Sequence, residues 1–277
     1  MKAPTRRPAR QAPPLRDAAI RLLDRALEEV AGTPSDERVH TARKTAKRLR
    51  AALRLLRGAL GTRAYRRQNR LVRDAAKPLT SLRDAFVLLR TLRDLKVRAP
   101  RLEQELEAEY QWRREQLDRE ALSTTASLLR TIRDEMLASP YRQSEVASAA
   151  AGIRKVYKAG RRAFREARSG EDDALHEWRK QVKYLANELL LMRDIFETGL
   201  KRVEKRADRL AELLGEDHDL AVLAATMHRH RCDDKHLERA IRSRRRLIQR
   251  TAWREGKRLY QKSPRKVATK IGRRLPP

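Results

Sequence analysis

The stretch from residue 39 to 57 carries two rows of residues at the spacing of an α-helix, one apolar and one basic. The apolar row consists of Val39, Ala42, Ala46, Leu49, Leu53 and Leu56. The basic row follows one residue later and consists of His40, Arg43, Lys47, Arg50, Arg54 and Arg57. Because successive helical residues are about 100° apart, the basic row lies beside the apolar row rather than opposite it. The stretch therefore predicts a helix that buries one edge and turns cations towards a groove wall over roughly 25 Å.

The pattern H-x-x-R-K-x-x-K-x-L occurs twice, first from His40 and again from His176. The two copies comprise His40, Arg43, Lys44, Lys47 and Leu49, and His176, Arg179, Lys180, Lys183 and Leu185. A second ordered match pairs Arg83, Asp84, Val87 and Leu88 with His218, Asp219, Val222 and Leu223. These matches predict two homologous helical halves related by an approximate two-fold axis. Facing copies would line a central groove or pore with cations from both sides.

The chain has 277 residues and a formal net charge of +30, with a sequence pI near 11.2. Such an excess repels itself in a compact fold and is explained most economically by an anionic partner. Nucleic acid, an anionic membrane surface and an inorganic phosphate polymer all qualify. Apolar residues make up 40% of the chain, so a folded core is expected. The single Cys232 excludes an intramolecular disulfide, and no apolar run is long enough for a transmembrane helix.

Periodicity and the few Gly and Pro residues predict an all-α fold, which the repeat divides into two helical halves. Residues 1–14 are predicted to form a disordered basic arm, followed by one domain over 15–275. Its halves are expected at about 15–138 and 141–275, with Ser139–Pro140 as the boundary. The predicted helices cover about 15–30, 34–60, 63–76, 79–95, 100–137, 142–168, 174–196, a shorter stretch to 214, 217–230 and 235–260. Between the first two, Gly32 is expected to stop a helix, and Thr33 and Pro34 to start the next.

Several longer motifs resemble the CHAD family, whose name stands for a histidine-marked α-helical domain. They are YRRQN, RDAAKPLTSLRDA, GIRKVYKAGRRAF, LHEWRKQVKYL, LLGEDHDLAVL and AWREGKRLYQKSP. The resemblance covers about residues 15–274 and implies a pair of helical bundles that bind inorganic polyphosphate through a basic face. Lysine stands at motif positions where relatives often carry arginine, including Lys47. Lysine keeps the charge but lacks the bidentate fork of a guanidinium, so the affinity of each contact is expected to differ.

The basic row, the repeat and the family resemblance together predict sixteen polyphosphate-binding residues. Their protonated side chains can donate charge-assisted hydrogen bonds to phosphate oxygens. They are His40, Arg43, Lys44, Lys47, Arg50, Arg54, Arg83, Arg154, Lys158, Arg161, Arg162, His176, Arg179, Lys180, Lys183 and His218. The repeated Asp84 and Asp219 are interpreted as partners that orient neighbouring cations. A bound polyanion favours the imidazolium form of histidine, so affinity is expected to rise between about pH 8 and pH 6.

The predicted function is non-catalytic binding of polyphosphate in the cytoplasm, for targeting to or organising polyphosphate granules. Granule-associated proteins are further expected partners, and no cofactor or metal is predicted. Sequence-independent nucleic-acid binding is the first alternative, although an aromatic content of 4% disfavours stacking on single strands. The second alternative is a polyphosphate or triphosphate hydrolase, for which no P-loop or nucleophile elbow is present.

Two clusters of possible metal ligands favour other interpretations. His228 and His230 are two residues apart, so on a helix they point about 200° away from each other, which disfavours a zinc site with Cys232 and His236. The acids Glu216, Asp217 and Asp219 are more simply explained as helix-start residues than as ligands of a divalent ion. The aromatic residues Trp178, Tyr157 and Tyr184 are expected to pack in the core or along the groove.

Overall fold

Only helices and connecting turns occur in the computed structural model, which describes residues 15–32, 35–117, 119–138, 144–195 and 201–272. The predicted all-α class is confirmed. The helices are α1 Leu15–Ala31, α2 Asp36–Leu55, α3 Arg57–Leu60, α4 Thr62–Ala75, α5 Lys77–Asp94, α6 Pro100–Glu115, α7 Arg119–Ala138, α8 Glu145–Glu166, α9 Asp172–Ile195, α10 Lys201–Arg229, α11 Lys235–Leu259 and α12 Pro264–Gly272. Within the described ranges, none of them is both long and apolar enough to cross a membrane.

The start of α2 is set by a serine cap. Ser35 has extended backbone angles, and its hydroxyl accepts a hydrogen bond from the Arg38 amide at 3.2 Å. The predicted cap at Thr33 and Pro34 lies outside the described residues, as do the arm over 1–14 and the boundary at Ser139–Pro140. At the far end, Gly61 adopts a positive φ of 81°, which ends α3 as predicted.

Two predicted boundaries are wrong. The segment over 100–137 is not continuous, because α6 ends at Glu115 and buried Leu117 lies between it and α7. The break contains no Gly or Pro, and the apolar periodicity continues through it. Conversely, the two short helices predicted on either side of Gly215 form the single helix α10. A mid-helix glycine costs about 1 kcal/mol relative to alanine, which the tertiary packing of α10 overrides.

Helix α2 is the central element of the packing. It contacts α1, α4 and α5 on one side and α8 and α9 from the second half of the chain on the other. Its predicted apolar row is buried throughout, and Leu49, Leu53 and Leu56 have no exposed surface. Helix α5 likewise contacts α10, so the two motif-bearing helices of each half meet those of the other half.

A cluster of aromatic rings anchors the second half. Trp178 of α9 is fully buried and packs against Phe164 and Trp253, with ring centroids 5.1 and 4.9 Å away. Gly256 allows this close approach, because a Cβ atom there would lie 2.6 Å from the Phe164 ring. Tyr157 is also fully buried and donates its hydroxyl proton to the backbone carbonyls of α11 and the turn after it. The predicted packing roles of Trp178 and Tyr157 are confirmed.

Candidate anion-binding site

The two copies of the repeated motif meet along the contact between α2 and α9. The charge of Arg43 acts on Arg179, and the charge of Lys47 acts on Lys183. The charge of Asp84 on α5 likewise acts on Asp219 of α10. Each of these residues therefore lies near the residue at the equivalent position of the other copy. The packing brings together the central motif cations of both stripes.

Burial and the crowding of like charges both weaken the protonated form of the two motif lysines. Burial, followed by the charges of Arg43 and Arg179, lowers the pKa of Lys47 to about 8. Burial, followed by the charges of Arg179 and Lys47, lowers the pKa of Lys183 to about 7. Lys47 nevertheless keeps a large exposed surface. Because both lysines line an open cavity, they are surrounded by protein while remaining accessible to solvent.

The repeated aspartates lie beside these cations but differ in their contacts. Arg43 donates a hydrogen bond to Asp84 at 3.2 Å, and 15% of the arginine side chain is exposed compared with 68% of the aspartate. This geometry fits the predicted orienting role of Asp84. Asp219 makes no direct ion pair with any residue in the described ranges. Burial raises the pKa of Asp219, while the charges of Arg179 and Lys183 oppose that rise.

The motif histidines have different neighbours in the two halves. His176 and His218 place their Nδ1 atoms 3.5 Å apart, whereas His40 is exposed and lies near the charge of Arg83. Burial and then the charge of Arg179 lower the pKa of His218 to about 4. Burial and then Arg83 also lower the pKa of His40. The contribution of His218 to affinity is therefore expected below the pH 8–6 range, because its ring is neutral throughout that range in the free protein.

A cavity of about 1420 Å³ opens beside this cluster, between α2, α5, α9, α10 and α11. His40 lines it together with seven Lys or Arg residues and five Asp or Glu residues. The Lys and Arg residues are Lys44, Lys47, Arg90, Lys183, Arg244, Arg246 and Arg250, and the acids are Asp94, Asp208, Glu212, Glu216 and Asp219. The wall is therefore of mixed sign, with acids among the cations that the two motif copies contribute from both sides.

Four of these cations were not among the predicted site residues. Arg90 lies on α5, seven positions after Arg83, and therefore projects from a similar side of that helix. Arg244, Arg246 and Arg250 come from α11. The sequence signal for α11 is its row of arginines at every fourth position, which are Arg242, Arg246, Arg250 and Arg254. This row has the same helical spacing as the predicted stripes.

Two members of the α2 stripe are engaged in contacts between helices. Arg54 donates a hydrogen bond to Glu188 of α9 at 2.8 Å and stacks over the Tyr184 ring at 4.1 Å. Glu188 has no exposed surface, and this burial raises its pKa to about 7 although the charge of Arg54 opposes the shift. Arg50 donates to Asn69 of α4 at 3.0 Å. These contacts give Arg50 and Arg54 packing roles between helices, and their predicted ligand roles stay predictions.

The remaining candidates lie apart from the central cluster. Lys180 is ion-paired with Glu177 one turn earlier on α9. Helix α8 packs against α3, α9 and α12, and its cations do not line the cavity in the described structure. These cations are Arg154, Lys158, Arg161 and Arg162, of which Arg162 pairs with Glu166 at 3.4 Å. The α8 row thus forms a separate basic surface.

Three of the residues considered as metal ligands have protein partners. Asp217 is buried and accepts hydrogen bonds from Arg245 and Gln249, at 3.0 and 2.9 Å. Glu216 pairs with Arg244 at 2.6 Å. His230 lies 2.6 Å from a carboxylate oxygen of Glu105, and the described residues contain no group of His, Cys, Asp and Glu arranged to hold a metal ion.

Comparison with known proteins agrees with this architecture. The family model for the CHAD domain matches residues 7–228, which is well over half of the chain. The crystal structure of the CHAD domain from the plant Ricinus communis is similar in fold, with a TM-score of 0.61 and 17% sequence identity. The alignment covers 100% of this chain and 98% of the plant chain. Comparison with curated proteins gives no match. The chain is therefore a member of the CHAD domain family.

Proposed function

We propose that this protein binds inorganic polyphosphate in the cleft where α2 meets α9. The observation that carries the proposal is the approach of Lys47 and Lys183, each with its pKa lowered by burial and by the other copy's cations. Such a cluster is unfavourable in the free protein, and bound anionic oxygens relieve both the repulsion and the lost hydration. Arg43 and Arg179 supply guanidinium groups for phosphate in the same cluster.

A polymer fits this arrangement better than a single phosphate ion. The motif cations continue into a cavity with His40, Lys44 and Arg90, so neighbouring phosphates of one chain have successive partners. Displacing the counterions condensed around a polyanion also contributes to affinity, by analogy with DNA. The two halves, in this proposal, are related by an approximate two-fold axis that sets equivalent cations side by side.

Binding without hydrolysis is part of the proposal. Two of the three acids around residue 217 that were considered for a divalent ion are committed to arginine partners. The protein is proposed to act in the cytoplasm, where it targets or organises polyphosphate granules with other granule proteins. Incubation with polyphosphate and Mg²⁺ or Mn²⁺ is expected to release no phosphate above the buffer control. Release that requires the intact chain would support the hydrolase alternative.

The decisive experiment is a competition between polymers. The intact protein is bound to labelled polyphosphate, and unlabelled polyphosphate or duplex DNA is added at equal phosphate concentration, at several salt concentrations. We expect polyphosphate to compete at least about tenfold better and affinity to fall steeply with salt. Equal or better competition by duplex DNA would overturn the proposal.

Nucleic-acid binding remains the second candidate because of a specific surface on α4. Arg63, Arg66 and Arg70 are exposed there and make no ion pair with any residue in the described ranges. An exposed row of this kind can contact a duplex backbone without reading its sequence. If it does so, charge reversal at these three arginines weakens DNA binding and leaves polyphosphate binding unchanged.

A further inference from the structure

The amine of Lys183 occupies an unusual position at the wall of the cavity. Its Nζ atom lies against Gly215 in the middle of α10, and a Cβ atom at that glycine would be 3.6 Å from it. The amine therefore lies close to the α10 backbone while still lining an open space. Small molecules that enter the cavity therefore have access to it.

The surroundings of this amine favour its neutral form. Arg43 and Lys47 of α2 and Arg179 of α9 face it, while Asp219 of α10 is the only described carboxylate among its main electrostatic neighbours. No described acid forms an ion pair with Lys183. With its pKa lowered to about 7, a large fraction of the amine is unprotonated at neutral pH and is a competent nucleophile.

We propose that Lys183 is an acylation site, at which a small acyl phosphate transfers its acyl group to the Nζ atom. The cationic cluster holds the phosphate of the donor, so the inference rests in part on the proposed anion-binding function. The neutral amine attacks the carbonyl carbon, a C–N bond forms, and the C–O bond to phosphate breaks. Phosphate leaves with the bonding electron pair and takes up the proton lost by nitrogen. The products are an N-acyl-lysine and hydrogen phosphate.

Acylation removes one charge from the cluster, so the modified protein binds polyphosphate more weakly. The neighbouring cations stabilise the departing phosphate in the same way as they bind the polymer. Lys180 offers a matched comparison, because it lies on the same helix but is ion-paired with Glu177. Its amine is held by a carboxylate and does not line the cavity.

The test is a time course of the intact protein with acetyl phosphate at pH 7, followed by mass spectrometry that resolves each lysine. We expect Lys183 to be acetylated roughly tenfold faster than Lys180 and the exposed Lys235. Lys183→Arg removes the fast site and leaves the rates at the other two lysines unchanged. A Lys183 rate no higher than that of Lys180 overturns the inference.

Two further measurements distinguish a failure of the acylation site from a failure of the proposed polyphosphate binding. The N-hydroxysuccinimide ester of acetate carries no phosphate, so selectivity for Lys183 is expected to be lower with it. Equal selectivity with the two reagents contradicts the phosphate-holding role of the cluster. Polyphosphate added beforehand is expected to protect Lys183. Fast acetylation without such protection supports the acylation site and contradicts polyphosphate binding. Protection of a Lys183 that reacts no faster than Lys180 supports polyphosphate binding and overturns the acylation site.

Discussion

The two copies of the motif share a sequence pattern but differ in how far their charges are withdrawn from water. In the first copy, Arg43 is paired with a largely exposed Asp84, and the pKa of Lys47 falls to about 8. In the second copy, Asp219 has no direct ion pair within the described residues, and the pKa of Lys183 falls to about 7. The second copy therefore depends more strongly on a bound anion to hold its charge. Repetition of a motif preserves its chemistry only where the local packing is also repeated.

The largest effect is expected from reversing one lysine in each copy. Lys47→Glu combined with Lys183→Glu is expected to weaken polyphosphate binding by about 100-fold or more, because two charge-assisted contacts become repulsive. Binding is measured by titration at fixed salt, with helicity followed by circular dichroism. The control, Lys235→Glu with Lys257→Glu, makes the same change of net charge on exposed α11 positions. An equal loss in the control would mean that net charge alone drives binding.

The second-largest expected effect is a pH dependence of polyphosphate affinity, which distinguishes the two copies. A bound polyanion raises both lysine pKa values, so affinity is expected to fall at least about tenfold from pH 7 to pH 9 as the free amines lose protons. Lys183→Arg should remove most of this dependence, since arginine stays charged throughout. Lys47→Arg should remove less. Calorimetry in two buffers measures the protons taken up on binding and so checks that these lysines cause the pH dependence. If Lys47→Arg removed more of the pH dependence than Lys183→Arg, the proposed difference between the copies would be reversed.

Stability of the free protein should reveal the same asymmetry. Folding lowers the pKa of Lys183, so protonation of this amine at low pH destabilises the folded state. Stability is regained as the pH rises from about 7, the pKa in the folded protein, towards about 10.4, the pKa of lysine in the unfolded chain. Lys183→Met should therefore stabilise the free protein by about 1 kcal/mol at pH 7, or a few degrees in Tm. The gain should disappear near pH 10, and Lys47→Met should give a smaller gain. Thermal melts without polyphosphate test this, and destabilisation by Lys183→Met at pH 7 would contradict it.

The smallest expected effect concerns the positions that differ between copies, Arg83 and His218. Because the pKa of His218 is about 4 in the free protein, a polyanion that raises it should add affinity only as pH falls below about 6. His218→Ala should abolish a gain of about two- to threefold between pH 6 and pH 4.5. Arg83→Ala should lower affinity equally at both pH values. A histidine-dependent gain already complete at pH 7 would show that the ring is not desolvated.

Local periodicity predicts the buried row of α2 and the positions of most helices, but not the break between α6 and α7 or the continuity of α10. The repeat also identified Arg43, Lys47, Arg179 and Lys183, which the packing of α2 against α9 brings together. In such cases the residues that specify the helix and those that form the site belong to the same short pattern.

Other features depend on residues far apart in sequence and were not predictable. Arg54 is part of the predicted stripe, yet it pairs with Glu188, 134 positions later. Arg246 and Arg250 have the spacing of a basic stripe, but only the packing of α11 decides that they line the cavity. Gly215 reads as a helix boundary, although α10 continues through it.

The placement of equivalent residues side by side has a consequence for the kind of polymer that such a cleft can accept. In the proposed two-fold arrangement, a strand that crosses the seam from α2 to α9 meets equivalent cations in the same order whichever end enters first. Inorganic polyphosphate has identical ends and loses nothing when it is turned around. A single strand of nucleic acid has a 5′ and a 3′ end, and a seam of matched cations has no means of telling one from the other.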